Sequence, residues 1–78
     1  MSHQSRLRWQ CRRGTKELDL LLVRYLENVY PTASAEEQRC FEDLLAMQDP
    51  ELYDYLVGRL RPDDKTLAGV VDRIVSHN

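Results

Sequence analysis

The stretch that decides the fold of this chain is Leu18-Asp19-Leu20-Leu21-Leu22-Val23-Arg24-Tyr25-Leu26-Glu27-Asn28-Val29. Six of its apolar residues recur at the spacing that places side chains on one stripe of an α-helix: Leu18, Leu21, Leu22, Tyr25, Leu26 and Val29. Leu20 and Val23 widen that stripe. In a chain of 78 residues, a helix this apolar is predicted to be the central one, packed by neighbours on more than one side.

Short local signals place the boundaries of the first two helices. The central helix is predicted to begin at Gly14 or Thr15 and to end at Tyr30, because a residue that precedes proline is pushed out of the α-helical conformation. Residues 5–13 are predicted to form a short first helix. Its apolar groups are Leu7, Trp9 and Cys11.

Two helix starts follow the central helix. Ser34 and Glu37 have the spacing of a capping box, which predicts a helix over residues 34–47. Its buried face is predicted to consist of Cys40, Phe41, Leu44 and Leu45. Asp49 and Pro50 open a fourth helix, with the aspartate as N-cap and the proline at the first helical position.

The last two helices also show apolar residues at helical spacing. The fourth is predicted to stop near Arg61 and Pro62, with Leu52, Tyr53, Leu56, Val57 and Leu60 on one side. Asp63 or Asp64 is predicted to cap a fifth helix. Its repeating apolar residues are Leu67, Val70, Val71, Ile74 and Val75.

These elements predict an all-α fold, a small single-domain five-helix bundle that spans residues 1–78. Three Gly and three Pro are too few for a sheet-and-turn protein, and 42% hydrophobic with 31% charged content is typical of a compact domain. Only residues 1–4 and 77–78 are expected to be frayed.

Candidate reactive groups are sparse. No catalytic triad, paired-carboxylate site or phosphate-binding loop can be assembled, because the histidines, His3 and His77, lie near the ends and the glycines are isolated. Cys11 and Cys40 are poorly spaced for zinc and are expected to fill core space. The longest apolar run, Leu20–Val23, is far shorter than the roughly 20 residues of a membrane span. We therefore expect no catalytic residue, no metal site and no membrane insertion, with reduced thiols.

Charge is distributed very unevenly along the chain. Residues 1–16 contain five cations and no carboxylate, whereas residues 17–78 carry a formal charge of −7. The cations are Arg6, Arg8, Arg12, Arg13 and Lys16. A basic segment that includes Trp9 can contact nucleic acid, an anionic membrane or an acidic protein, and the acidic remainder of the chain favours the protein. A small regulator, antitoxin-like or nucleic-acid-binding, remains the alternative.

The basic segment ends at Arg13-Gly14-Thr15-Lys16-Glu17. This pattern predicts a corner between two helices, in which Gly14 adopts a left-handed conformation. Glu17 then lies in the first turn of the second helix, where a carboxylate is favoured.

The context of this corner resembles a known family. The similar runs are Arg8-Trp9-Gln10-Cys11-Arg12-Arg13-Gly14-Thr15-Lys16-Glu17-Leu18-Asp19, Glu42-Asp43-Leu44-Leu45 and Asp49-Pro50-Glu51-Leu52-Tyr53-Asp54-Tyr55-Leu56. Over roughly residues 6–76 the chain resembles the succinate dehydrogenase flavinylation factors, also described as RGxxE-motif or FAD assembly factors. Family members often have Phe and Trp at the positions of Tyr53 and Tyr55, and many carry a polar tail that is absent here.

The resemblance implies a factor that binds the flavoprotein subunit of succinate dehydrogenase or fumarate reductase and promotes covalent attachment of FAD to a histidine of that subunit. It implies six partner-binding residues: Arg8, Trp9, Arg12, Arg13, Gly14 and Glu17. FAD would belong to the client, and no cofactor would be bound stably. We expect a monomer in the bacterial cytoplasm, since Met1 is not followed by a transit peptide.

The implied roles differ among these residues. Arg12 and Arg13 would donate charge-assisted hydrogen bonds to the client, and Gly14 would permit close backbone approach. Glu17 would either orient the arginines or meet a client cation. Trp9 would either anchor the partner or fill the core.

Overall fold

Five α-helices and one short 3₁₀ turn form the fold in a computed structural model that describes residues 3–76. The helices are α1 (His3–Gln10), α2 (Lys16–Asn28), α3 (Ala35–Leu45), α4 (Asp49–Leu56) and α5 (Lys65–Ser76), and the 3₁₀ turn is Tyr30–Thr32. No strand occurs within the described residues, so the predicted all-α five-helix fold is confirmed. None of these helices is both long and apolar enough to cross a membrane.

One hydrophobic core joins all five helices. Helix α5 packs against α2, α3 and α4, and α1 packs against α2 and α3. The predicted stripe of α2 is confirmed in the core: Leu18, Leu22, Tyr25 and Leu26 are buried, while Leu21 and Val29 pack against them. Leu20 is an exception, because half of its surface is exposed and it does not widen the buried stripe as predicted.

Helix α3 matches its prediction closely. The Glu37 backbone N–H donates to Ser34 Oγ at 3.1 Å and the Ser34 N–H donates to Glu37 Oε1 at 3.0 Å, so both halves of the capping box are present. All four residues predicted for its buried face are buried: Cys40, Phe41, Leu44 and Leu45. The helix ends at Leu45, two residues before the predicted end.

The boundaries of α4 correct the prediction at both ends. Gln48 occupies the N-cap position and Asp49 is already helical. The helix ends at Leu56, well before Arg61, because Gly58 adopts a φ of +88°. The N–H groups of Gly58 and Arg59 donate to the carbonyls of Tyr55 and Asp54, the pattern of a Schellman helix end.

Part of the predicted apolar side of α4 lies in solvent. Leu52 and Leu56 are buried, whereas Tyr53, Val57 and Leu60 are exposed.

At the start of α5, the Thr66 N–H donates to Asp64 Oδ1 at 2.8 Å, which selects Asp64 from the two predicted caps. Val70, Val71 and Ile74 of α5 are buried as predicted, but Val75 is exposed.

Helix α1 begins at His3 and ends at Gln10, three residues before its predicted end. Leu7 and Cys11 bury their side chains in the core, whereas Trp9 is 64% exposed and has no core role. The helix therefore includes residues 3 and 4, which lie in the part of the N-terminus expected to be frayed. Residues 1–2 and 77–78, including His77, lie outside the described part of the chain.

Three polar side chains tie the start of α1 to the rest of the bundle. Tyr30 Oη donates to Glu42 Oε2 at 2.6 Å, and His3 Nε2 lies 3.1 Å from that oxygen and 3.2 Å from Tyr30 Oη. The Tyr30 hydrogen bond is the main cause of a lowered pKa at Glu42, and contact with His3 lowers it further. Burial and the same hydrogen bond raise the pKa of Tyr30 to about 12.

Replacing Tyr30 by Phe should therefore reduce stability in a pH-dependent way. The pKa of Glu42 in the folded chain lies below the ordinary value of 4.5. Its carboxylate therefore stabilises the fold at pH values above 4.5, and this stabilisation is lost as the pH falls through the folded pKa. We expect Tyr30→Phe to lower the free energy of unfolding by about 1 kcal/mol at neutral pH, because it removes a partly exposed charge-assisted hydrogen bond. The loss should be smaller at about pH 3. Urea denaturation at the two pH values measures this.

The matched control is Tyr25→Phe. Tyr25 Oη is buried and has no hydrogen-bond partner within the described residues, so its removal should cost little and leave the pH dependence unchanged. A Tyr30→Phe loss of equal size at both pH values would contradict the Tyr30–Glu42 interaction.

Candidate functional site

The loop between α1 and α2, residues 11–15, forms a tight corner at the surface. Gly14 has a φ of +84°, which confirms the predicted left-handed conformation. A Cβ built on Gly14 would meet no atom within 4 Å, so the space beside it is open. The corner therefore exposes bare backbone that a partner can approach closely.

The guanidinium group of Arg13 points from this corner into the protein. Its Nη2 donates to the Leu45 carbonyl, and its Nη1 donates to the Met47 carbonyl at 3.0 Å and to Asp49 Oδ1 at 3.2 Å. Only 14% of the side chain is exposed. Its Nε–H is buried without a partner among the described residues, so the terminal nitrogens make the contacts.

This position suits a cation for two electrostatic reasons. The last carbonyls of α3 carry the negative end of the helix dipole, and α3 has no basic residue in its own last turn. Asp49 adds a carboxylate in the first turn of α4. Arg13 thus caps the end of one helix and pairs with the start of the next.

The backbone of Arg13 is held as well. Its N–H donates to Asp19 Oδ1 at 2.6 Å, and Asp19 lies in the first turn of α2. The corner is therefore fixed on one side to α2 and on the other to the α3–α4 junction. The sequence shows no sign that Asp19 or Asp49 contacts Arg13, and it suggests only an N-cap role for Asp49, since Arg13 lies six and 36 positions away from them, respectively.

Arg12 and Glu17, in contrast, are exposed to solvent. Within residues 3–76 neither side chain makes a hydrogen bond or an ion pair with another residue. Glu17 lies in the first turn of α2, as predicted, and it makes no direct contact with Arg12 or Arg13 within the described residues. Its two predicted roles, orienting the arginines or meeting a client cation, stay predictions.

The outer face of α1 continues the candidate site. Arg8, Trp9 and Arg12, together with Ser5, line an open depression of about 330 Å³. Arg8 also pairs with Glu27 of α2 at 2.9 Å, and both side chains are about half exposed. Five of the six predicted partner-binding residues thus lie at the surface of α1, the corner and the start of α2, and Arg13 alone is turned inward.

This surface is suited to binding. Its exposed cations can donate charge-assisted hydrogen bonds, and Trp9 offers a large aromatic contact area. Burial raises the pKa of the nearby Cys11 thiol to about 11, which keeps the sulfur protonated and unreactive. Within the described residues, no cluster of three or more His, Cys, Asp or Glu side chains could hold a metal ion.

Comparisons with known proteins place the chain among similar sequences. Residues 5–78 match a family model named Sdh5 and described as flavinator of succinate dehydrogenase. The chain is 42% identical to the FAD assembly factor SdhE of Methylococcus capsulatus, covering 95% of this chain and 89% of the relative. It is 40% identical to the FAD assembly factor SdhE of Vibrio vulnificus, and the match covers 96% of this chain and 87% of the relative. It is also 40% identical to the SdhE protein of Psychrobacter arcticus, where the match covers 94% of this chain and 78% of the relative.

Alanine substitutions at the three glycines test the conformation of the corner. We expect Gly14→Ala and Gly58→Ala each to lower the free energy of unfolding by about 1–2 kcal/mol, because both require positive φ. Gly69→Ala, within α5, should raise it by about 0.5–1 kcal/mol. Chemical denaturation measures all three, and a neutral Gly14→Ala would contradict the left-handed corner.

Proposed function

This chain belongs to the Sdh5 family, the flavinators of succinate dehydrogenase, and we propose that it binds the flavoprotein subunit of succinate dehydrogenase or fumarate reductase and promotes covalent attachment of FAD to it. The observation that carries this proposal is the corner itself. Gly14 leaves an open backbone between the side chains of Arg12 and Glu17, which have no partner within residues 3–76, and the exposed Trp9 lies one turn earlier on α1.

In this proposal the client supplies both reacting groups, FAD and the histidine that accepts it. Holding two reactants in line can lower a barrier by several kcal/mol without any further catalytic group. The factor would bind the client conformation that aligns them more tightly than the others, and each tenfold preference shifts that equilibrium by about 1.4 kcal/mol. The chain would thus act without being an enzyme and without holding FAD stably.

The exposed residues then receive distinct roles. Arg12 would donate to client carboxylates or carbonyls, and Glu17 would meet a client cation. Trp9, which the structure leaves in solvent, would be an aromatic anchor beside them. Arg6 and Lys16 have no ion-pair partner within residues 3–76 and add positive charge nearby, so the client surface is expected to be acidic. Monomeric state and a cytoplasmic location stay predictions.

A pair of glycine-to-arginine variants tests the docking surface. Co-expression with a flavoprotein subunit, followed by detection of flavin fluorescence on the denatured subunit, reports covalent attachment. We expect Gly14→Arg to reduce attachment at least tenfold, because its side chain would occupy the open space at the corner.

Gly58→Arg is the matched control, since Gly58 has the same positive φ and the same open surroundings but lies at the end of α4. Both variants should lose similar stability, and only Gly14→Arg should lose attachment. Equal activity of the two folded variants would contradict the assigned surface.

Salt dependence separates this proposal from a nucleic-acid-binding regulator. Binding to DNA or RNA through the basic segment would weaken steeply with salt and would still give a gel shift at physiological ionic strength. We expect no such shift, because the remainder of the chain is acidic, whereas binding to the flavoprotein subunit should persist under the same conditions.

A further inference from the structure

We infer that Arg13 serves client binding as a positioning residue, and that Asp19 and Asp49 are the partners that hold the corner in its binding conformation. This inference rests on the proposed function, because it concerns the surface that meets the flavoprotein subunit. It assigns the adjacent arginines opposite tasks: Arg12 faces the client, and Arg13 holds the loop from within.

The contacts of Arg13 carry this division. Its two terminal nitrogens are shared among the carbonyls of Leu45 and Met47 and the carboxylate of Asp49. To reach a client, the guanidinium would have to leave all three and uncover the carbonyl end of α3. Arg12, one residue earlier, is exposed and needs no such rearrangement.

The corner also has few other restraints. Thr15, at the N-cap of α2, makes no side-chain capping hydrogen bond. The hydrogen bond between Asp19 and the Arg13 N–H therefore fixes the loop to α2 immediately before the left-handed Gly14. Loss of either carboxylate would leave Gly14 and Arg12 on a loop that must be ordered again when the client binds.

Substitution of Asp49 separates positioning from direct contact, because the two roles predict opposite outcomes. If Arg13 touched the client directly, Asp49→Asn would release it from an internal ion pair and leave binding unchanged or tighter. If Arg13 positions the corner, Asp49→Asn should weaken binding to a purified flavoprotein subunit that carries noncovalent FAD. We expect about a five- to tenfold loss, the effect of one partly exposed charged contact.

Glu51→Gln is the matched control. Glu51 lies in the same first turn of α4, is exposed, and makes no ion pair or hydrogen bond through its side chain within residues 3–76. The substitution Glu51→Gln removes the same charge from the same helix end but breaks no contact with Arg13, so it should leave the affinity for the client unchanged. Circular dichroism checks that both variants keep their helix content.

Two further readouts identify positioning itself. Hydrogen exchange at the Arg13 amide, which donates to Asp19, should accelerate about tenfold in Asp49→Asn and in Asp19→Ala without any client present. The salt dependence of client binding should become weaker in Arg12→Ala and stay the same in Asp49→Asn, because only the former removes a charge from the interface.

The outcomes distinguish the two levels of the proposal. If the parent chain binds the flavoprotein subunit and Asp49→Asn binds equally well or better, the positioning role of Arg13 is wrong and the proposed function stands. If the parent chain does not bind the subunit, both are overturned. Weaker binding of Asp49→Asn with faster exchange at the corner supports the inference.

Discussion

The interaction on which this structure most depends is the insertion of the Arg13 guanidinium at the end of α3. It donates to the Leu45 carbonyl, which α3 cannot pair internally, and to the Met47 carbonyl just beyond the helix, and it brings a cation to the negative end of the helix dipole. The Asp49 carboxylate completes the contact from α4. One side chain thus connects the α1–α2 corner to the α3–α4 junction, which lies more than 30 residues away along the chain.

This connection matters because α1 contributes little to the core. Among the residues of this region whose burial is described, only Leu7 and Cys11 are buried, so apolar contacts alone give weak attachment to the bundle. Polar contacts hold it at both ends: His3 meets Tyr30 and Glu42 at its start, and Arg13 anchors the loop after its end. The outer face of α1 is then free to present Trp9 and its arginines to a partner.

Most of the fold was predictable because its signals are local. The stripe of α2, the capping box at Ser34 and the left-handed Gly14 each depend on residues a few positions apart. The end of α4 was missed because a helical apolar spacing continues through Leu60, although the chain leaves the helix at Gly58. The exposure of Trp9 could not be predicted, since two apolar neighbours on a short helix do not define which face is buried.

The exposed corner of the candidate site was predictable from the sequence, but the contacts that hold it in place were not. Charge and the family resemblance pointed to the corner, but every signal treated Arg13 as a surface cation. Its partners are carbonyl groups, which no side-chain pattern reveals, and an aspartate from a separate helix. Only the packing of α3 beside the corner decides that Arg13 turns inward while Arg12 stays in solvent.

The inward role of Arg13 is tested most directly by nitrogen-15 NMR of the guanidinium groups of Arg12 and Arg13, which reports how freely each group rotates. The spectra are compared between the free chain and its complex with the flavoprotein subunit. Arg13, held at both terminal nitrogens, should show slowly exchanging, resolved Nη protons in both states, while those of the exposed Arg12 are averaged in the free chain and become ordered on binding. Averaged Arg13 signals in the free chain, or a change of Arg13 partners in the complex, would contradict it.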